Sequence, residues 1–64
     1  MKTAQRAREI ILEYQRTHNI PDYVMCDIFA WDEIKWDKYR GGAVHKLTIY
    51  EQIMFMEFAR TPLP

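Results

Sequence analysis

Apolar residues recur along this chain with the spacing of helices, and the pattern breaks wherever turn-forming residues gather. From Thr3 to about Arg16, Ala7, Ile10, Ile11 and Tyr14 fall at i, i+3, i+4 and i+7, the period of one helical face. Arg6, Arg8, Glu9, Glu13 and Arg16 take the other positions, which predicts a solvated amphipathic helix with Thr3 as its cap. Thr17, His18 and Asn19 interrupt the pattern. Pro21 suits the first turn of a second helix, where its missing N–H would be unpaired anyway, and Asp22 favours the positive end of that helix. This helix is expected over about Pro21 to Phe29, burying Val24 or Met25, Ile28 and Phe29, with the small Cys26 where the next helix packs close. After a tight Ala30–Trp31 connection, Asp32 is a good N-cap for a third helix that turns Trp36 and Tyr39 inward. Gly41 and Gly42 stop it, because glycine tolerates the left-handed backbone of a helix end.

Ala43 to Lys46 read as a short basic loop. Thr48 and Glu51 then make a capping box that launches a last helix to about Ala59, before Pro62 and Pro64. Nothing reads as a strand. The expectation is a small all-α domain of four to five helices, with a helix-turn-helix over residues 20–42. In the last helix Ile49, Tyr50, Ile53, Met54, Phe55, Met56, Phe58 and Ala59 cover more than one face, so it should be buried on more than one side. A small core can use only part of that surface. The surplus predicts a homodimer, with Met54, Phe55 and Phe58 at its interface.

A chain of 64 residues makes one domain, near the lower limit at which a core alone sustains folding. The usual staples are missing. The single Cys26 cannot form an intramolecular disulfide, and Cys26, His18 and His45 fall in no zinc-ligand spacing. A dense aromatic core containing Trp31 and Trp36 is the remaining route. No apolar run approaches a membrane span and no leader is seen; with a free thiol, this points to a reducing cytoplasm. No Ser/His/Asp, Cys/His or paired-carboxylate arrangement predicts a catalytic site, so neither enzyme nor cofactor nor metal is expected. His18 reads as a residue bonding the carbonyls that end the first helix, and His45 as a surface residue.

Charge changes the picture through its distribution. The nine basic and nine acidic side chains cancel. Residues 20–37 hold Asp22, Asp27, Asp32, Glu33 and Asp37 against Lys35 alone, whereas residues 38–46 hold Lys38, Arg40 and Lys46 with no acid. The helix-turn-helix is acidic and its flanks are basic.

The run from Ile20 to Gly42 resembles the phage repressor and Cro family of XRE-type helix-turn-helix proteins. Ile20 stands at the leading aliphatic position, Met25-Cys26 at a Leu-Ala pair, and Ile28-Phe29 at a second aliphatic pair. Trp31 follows the turn, Trp36 and Tyr39 match the buried positions of the recognition helix, and Gly42 ends it. Lys46-Leu47-Thr48-Ile49 is similar to the family's entry into the final helix. The resemblance implies a dimeric, sequence-specific transcriptional regulator of double-stranded DNA, of phage or mobile-element type. Carried over by position, Glu33, Ile34, Lys35 and Lys38 face bases, and Arg40, His45 and Lys46 meet phosphates. Asp22 holds the DNA-facing polar position that opens the second helix, where the family has glutamine. The chain also departs from the pattern at Ala30, where the family has a turn glycine, and at Asp32-Glu33-Ile34, where the recognition helix normally opens with polar or basic residues. These acids open a second expectation: a protein-interaction module, like a phage-type inhibitor or anti-repressor, that uses Asp22, Asp27, Asp32, Glu33 and Asp37 against a basic partner.

Overall fold

Helices α1 (Lys2–His18), α2 (Asp22–Phe29), α3 (Glu33–Arg40) and α4 (Ile49–Arg60) follow one another in the computed structural model. It describes residues 2–43 and 45–60, without the side chains of Lys2 and Thr3. The described residues contain no strand, and the domain is all-α as expected. Thr3 lies within α1 rather than ahead of it, and its capping side chain falls outside the described residues, as do Pro62 and Pro64.

The same device ends α1, α2 and α3. In each, one residue turns left-handed, its N–H bonds the carbonyl three back, and the next N–H bonds the carbonyl five back. Asn19 (φ 54°) and Ile20 close α1 on Arg16 and Gln15, at 3.3 and 3.0 Å. Ala30 (φ 57°) and Trp31 close α2 on Asp27 and Cys26, at 3.3 and 3.0 Å. Gly42 (φ 117°) and Ala43 close α3 on Tyr39 and Lys38, at 3.3 and 2.9 Å. Helix α1 thus runs past Arg16 through Thr17 and His18, because the chain leaves the helix only where asparagine, a residue tolerant of that conformation, takes it up.

Trp36, Tyr39, Met25 and Ile11 are sealed in the core, with Ile20, Cys26, Ile28, Phe29, Trp31 and Leu47 around them. Helix α2 packs on both α3 and α4, and α1 on α3. Aromatic rings fill the centre. Phe29 stacks on Trp31 with centroids 4.6 Å apart, and Trp31 meets Tyr39 edge-on at 5.1 Å. On α1 the buried edge is Ala7, Ile11 and Tyr14, and Ile10 is half exposed at its margin.

Helix α4 is amphipathic only weakly and buries no residue completely. Phe55 and Phe58 turn inward, meeting Tyr14 edge-on at 5.5 and 6.2 Å. Ile49, Tyr50, Ile53, Met54 and Met56 face solvent. Of the residues expected at a dimer interface, Phe55 and Phe58 therefore pack on their own core, and Met54 alone is exposed.

Candidate functional site

Helix α3 is held by its inner face and offers its outer one. Asp32 caps it, its carboxylate accepting from the Lys35 N–H at 2.8 Å. Trp36 and Tyr39, 1% and 2% exposed, anchor it in the core. At this spacing Glu33, Ile34, Lys35 and Lys38 stand in solvent, and Ile34 is 67% exposed. The Lys35 ammonium lies 5.0 Å from the centroid of the Trp31 ring, close enough for cation–π attraction.

Asp22 and Arg40 have other occupations. One oxygen of Asp22 accepts from Gln15 Nε2 at 2.7 Å and from the Trp36 indole at 3.0 Å. The other pairs with Arg40 at 3.1 Å, and the second terminal nitrogen of Arg40 pairs with Asp37 at 2.9 Å. Hydrogen bonds from Gln15 and Trp36, helped by the Arg40 charge and opposed by burial, hold the Asp22 carboxyl below the usual carboxylate range. Asp22 therefore joins α1, α2 and α3, and Arg40 is exposed but already matched by two carboxylates.

His45 was expected on the surface and is instead half-buried. Its Nε2 lies 3.1 Å from Glu51 Oε1, and its ring meets Trp31 edge-on at 5.5 Å. Glu51 collects several contacts. The capping box forms reciprocally, Thr48 N–H to Glu51 at 2.9 Å and Glu51 N–H to Thr48 Oγ1 at 3.0 Å, and the Trp31 indole donates to Glu51 at 2.7 Å. Burial raises the Glu51 pKa, but the bonds from Thr48, Trp31 and His45 outweigh it and the net shift is downward. Lys46 is exposed beside this network. His18 ends α1 with its ring over Tyr14, the centroids 4.2 Å apart.

Arg8 is the functional candidate that sequence reasoning passed over. Half-buried on α1, it places Nη1 3.5 Å from the point a Cβ on Gly42 would occupy. Its Nε and the Tyr39 hydroxyl are both buried with no hydrogen-bond partner. The available signal was its place three and four residues ahead of Ile11 and Leu12, at the edge of the buried stripe.

No family model matches the chain, nor does any curated protein or solved structure match it significantly. No helix among the described residues is long and apolar enough to cross a membrane.

Proposed function

We propose that this chain is a sequence-specific regulator that binds double-stranded DNA in the cytoplasm as a dimer, with α3 as its reading helix. The observation that carries the reading is the outward strip of Glu33, Ile34, Lys35 and Lys38 on a helix pinned by Trp36 and Tyr39. In a major groove each of these has a natural target: lysine the acceptors of guanine, glutamate the cytosine amino group, isoleucine the thymine methyl. An isoleucine two-thirds exposed among charged neighbours has no role in the core and is suited to such a contact. The short connection between α2 and α3, and the resemblance of residues 20–42 to the repressor and Cro pattern, support the same reading. The exposed apolar side of α4 supports a dimer, whose two reading helices would address half-sites about 34 Å apart.

The test is binding to a mixed pool of duplexes across a salt series. Affinity should fall as salt rises, and Lys35→Ala with Lys38→Ala should remove most of it. Failure to retain any duplex at low salt would overturn the reading.

One observation favours a second reading, a protein-interaction module with an acidic face. Arg40 is tied to Asp22 and Asp37, which leaves the first turn of α3 with Glu33 as its uncompensated acid beside the Asp32 cap. Under that reading Glu33→Lys, which spares the cap, should create duplex binding that the parent chain lacks.

A further inference from the structure

We infer that Arg8, its guanidinium over the Gly42 turn, forms with Tyr39 a binding site for a phosphate-type oxyanion. The other arginines whose pairing is seen have acids: Arg16 has Glu13, Arg40 has Asp22 and Asp37, and Arg60 has Glu57. Arg8 has none among the described residues, yet one of its guanidinium nitrogens is sealed from water. An N–H on a cation is costly to bury without an acceptor. Tyr39, 2% exposed, carries a second unmatched donor, its hydroxyl.

Burial pushes the Tyr39 phenol up to about 12; the Arg8 charge pulls it down and the Glu51 charge pushes it further up. Two unmatched donors beside a positive charge call for oxygen acceptors that carry negative charge. A guanidinium fork matches the paired oxygens of phosphate. Of the cations in residues 38–46, which contain this turn, Arg40 is matched by Asp22 and Asp37, which leaves Lys38 and Lys46 as exposed charges that favour an anion there. Arg8 is only half-buried, so its outer nitrogens stay within reach of a ligand from solvent, and its long stem can swing to admit an oxygen to the enclosed donors.

As a site for inorganic phosphate the proposal stands alone. As a contact to a phosphodiester it rests on the DNA-binding reading, to which it adds an anchor on α1, away from the reading helix. The test is proton–nitrogen NMR of the full chain, titrated with sodium phosphate and with sodium chloride at matched ionic strength, then with a mixed-sequence duplex. Phosphate but not chloride should shift the Arg8 Nε–H and the Gly42 and Ala43 amides saturably. Arg8→Gln should weaken this at least tenfold. Tyr39→Phe, which removes only the hydroxyl and keeps the ring in the core, should weaken it severalfold.

Equal shifts with chloride, or phosphate affinity unchanged in both variants, would overturn the site. Phosphate bound without duplex keeps the site and removes the DNA-binding reading. Duplex bound with no phosphate response, and with the same affinity in Arg8→Gln, keeps that reading and removes the site.

Discussion

Replacing Asp22 separates a structural role from a surface one. In Asp22→Ala the Trp36 indole, buried with its ring, loses its acceptor, which costs about 1–3 kcal/mol. The lost Gln15 bond adds about 1 kcal/mol. The pair with Arg40 is nearly half exposed on both sides and adds at most about 1 kcal/mol. The expected loss is about 2–5 kcal/mol, a large share of what a domain of this size commands at roughly 0.05–0.15 kcal/mol per residue. Urea unfolding, followed by tryptophan fluorescence, should show the midpoint falling by roughly 2 M or more if the slope is near 1 kcal/mol/M. Asp22→Asn keeps an oxygen for Gln15 and Trp36 and removes only the charge, so it should lose about 1 kcal/mol. Because the Asp22 pKa is depressed in the folded state, its contribution is complete above the ordinary carboxylate value of about 4 and is lost as pH falls through the depressed one. The gap between parent and Asp22→Asn should therefore close in acid. The reasoning is refuted if Asp22→Ala stays within about 0.5 kcal/mol of the parent, or if asparagine proves as damaging as alanine.

Ala30→Gly should stabilise the fold. Left-handed backbone costs an L-residue about 1–2 kcal/mol, and the greater freedom of unfolded glycine takes back about 0.4–1, leaving a gain of up to about 1.5 kcal/mol. Calorimetry should show the melting temperature rising by about 4–8 °C for each kcal/mol gained, and no rise would mean that the turn stores no strain. Glu51→Ala should cost about 2–3 kcal/mol by breaking the capping box and leaving the buried Trp31 indole without an acceptor. Glu51→Gln, which keeps one acceptor oxygen, should cost less, and urea midpoints that rank the two variants in reverse would sink the assignment.

What could be read from residues alone was whatever is decided within about one helical turn. The Asp32 cap, the Thr48–Glu51 box, the inward Trp36 and Tyr39 and the buried run Met25, Ile28 and Phe29 all depend on neighbours a few positions away. The end of α1 was missed by two residues because apolar spacing lapses at Thr17, whereas the helix ends only where Asn19 turns left-handed. Asp22 looked like a free acid at a helix start, and nothing in the sequence could bring Gln15, Trp36 and Arg40 to it from two other helices. His45 likewise needed Trp31 and Glu51 to become a half-buried residue. On α4 the apolar residues give no direction, since a helix apolar on all sides has no preferred face. Packing of Phe55 and Phe58 against Tyr14, and of Phe55 against Phe29, decides that these two go in and Ile49, Ile53 and Met56 stay out.

The internal pairing of Arg40 bears on what α3 could do with a polyanion. A phosphate reaching Arg40 must displace Asp22 or Asp37, exchanging one ion pair for another, with the freed carboxylate left beside the incoming charge. Little net counterion release follows from that exchange. Cations without an acid partner on α3, on the segment after it and beside its closing turn include Lys38, Lys46 and Arg8, and Lys35 lies against the Trp31 ring. At about 0.9 per neutralised phosphate, three or four such cations per copy would give the proposed dimer a logarithmic salt dependence of roughly 5–7. In such a dimer, discrimination between sequences would rest on the Glu33, Ile34, Lys35 and Lys38 strip. If α3 reads bases as proposed, a second copy would double its base contacts, and the exposed Ile49, Tyr50, Ile53 and Met56 on α4 are the apolar surface on which that copy would dock.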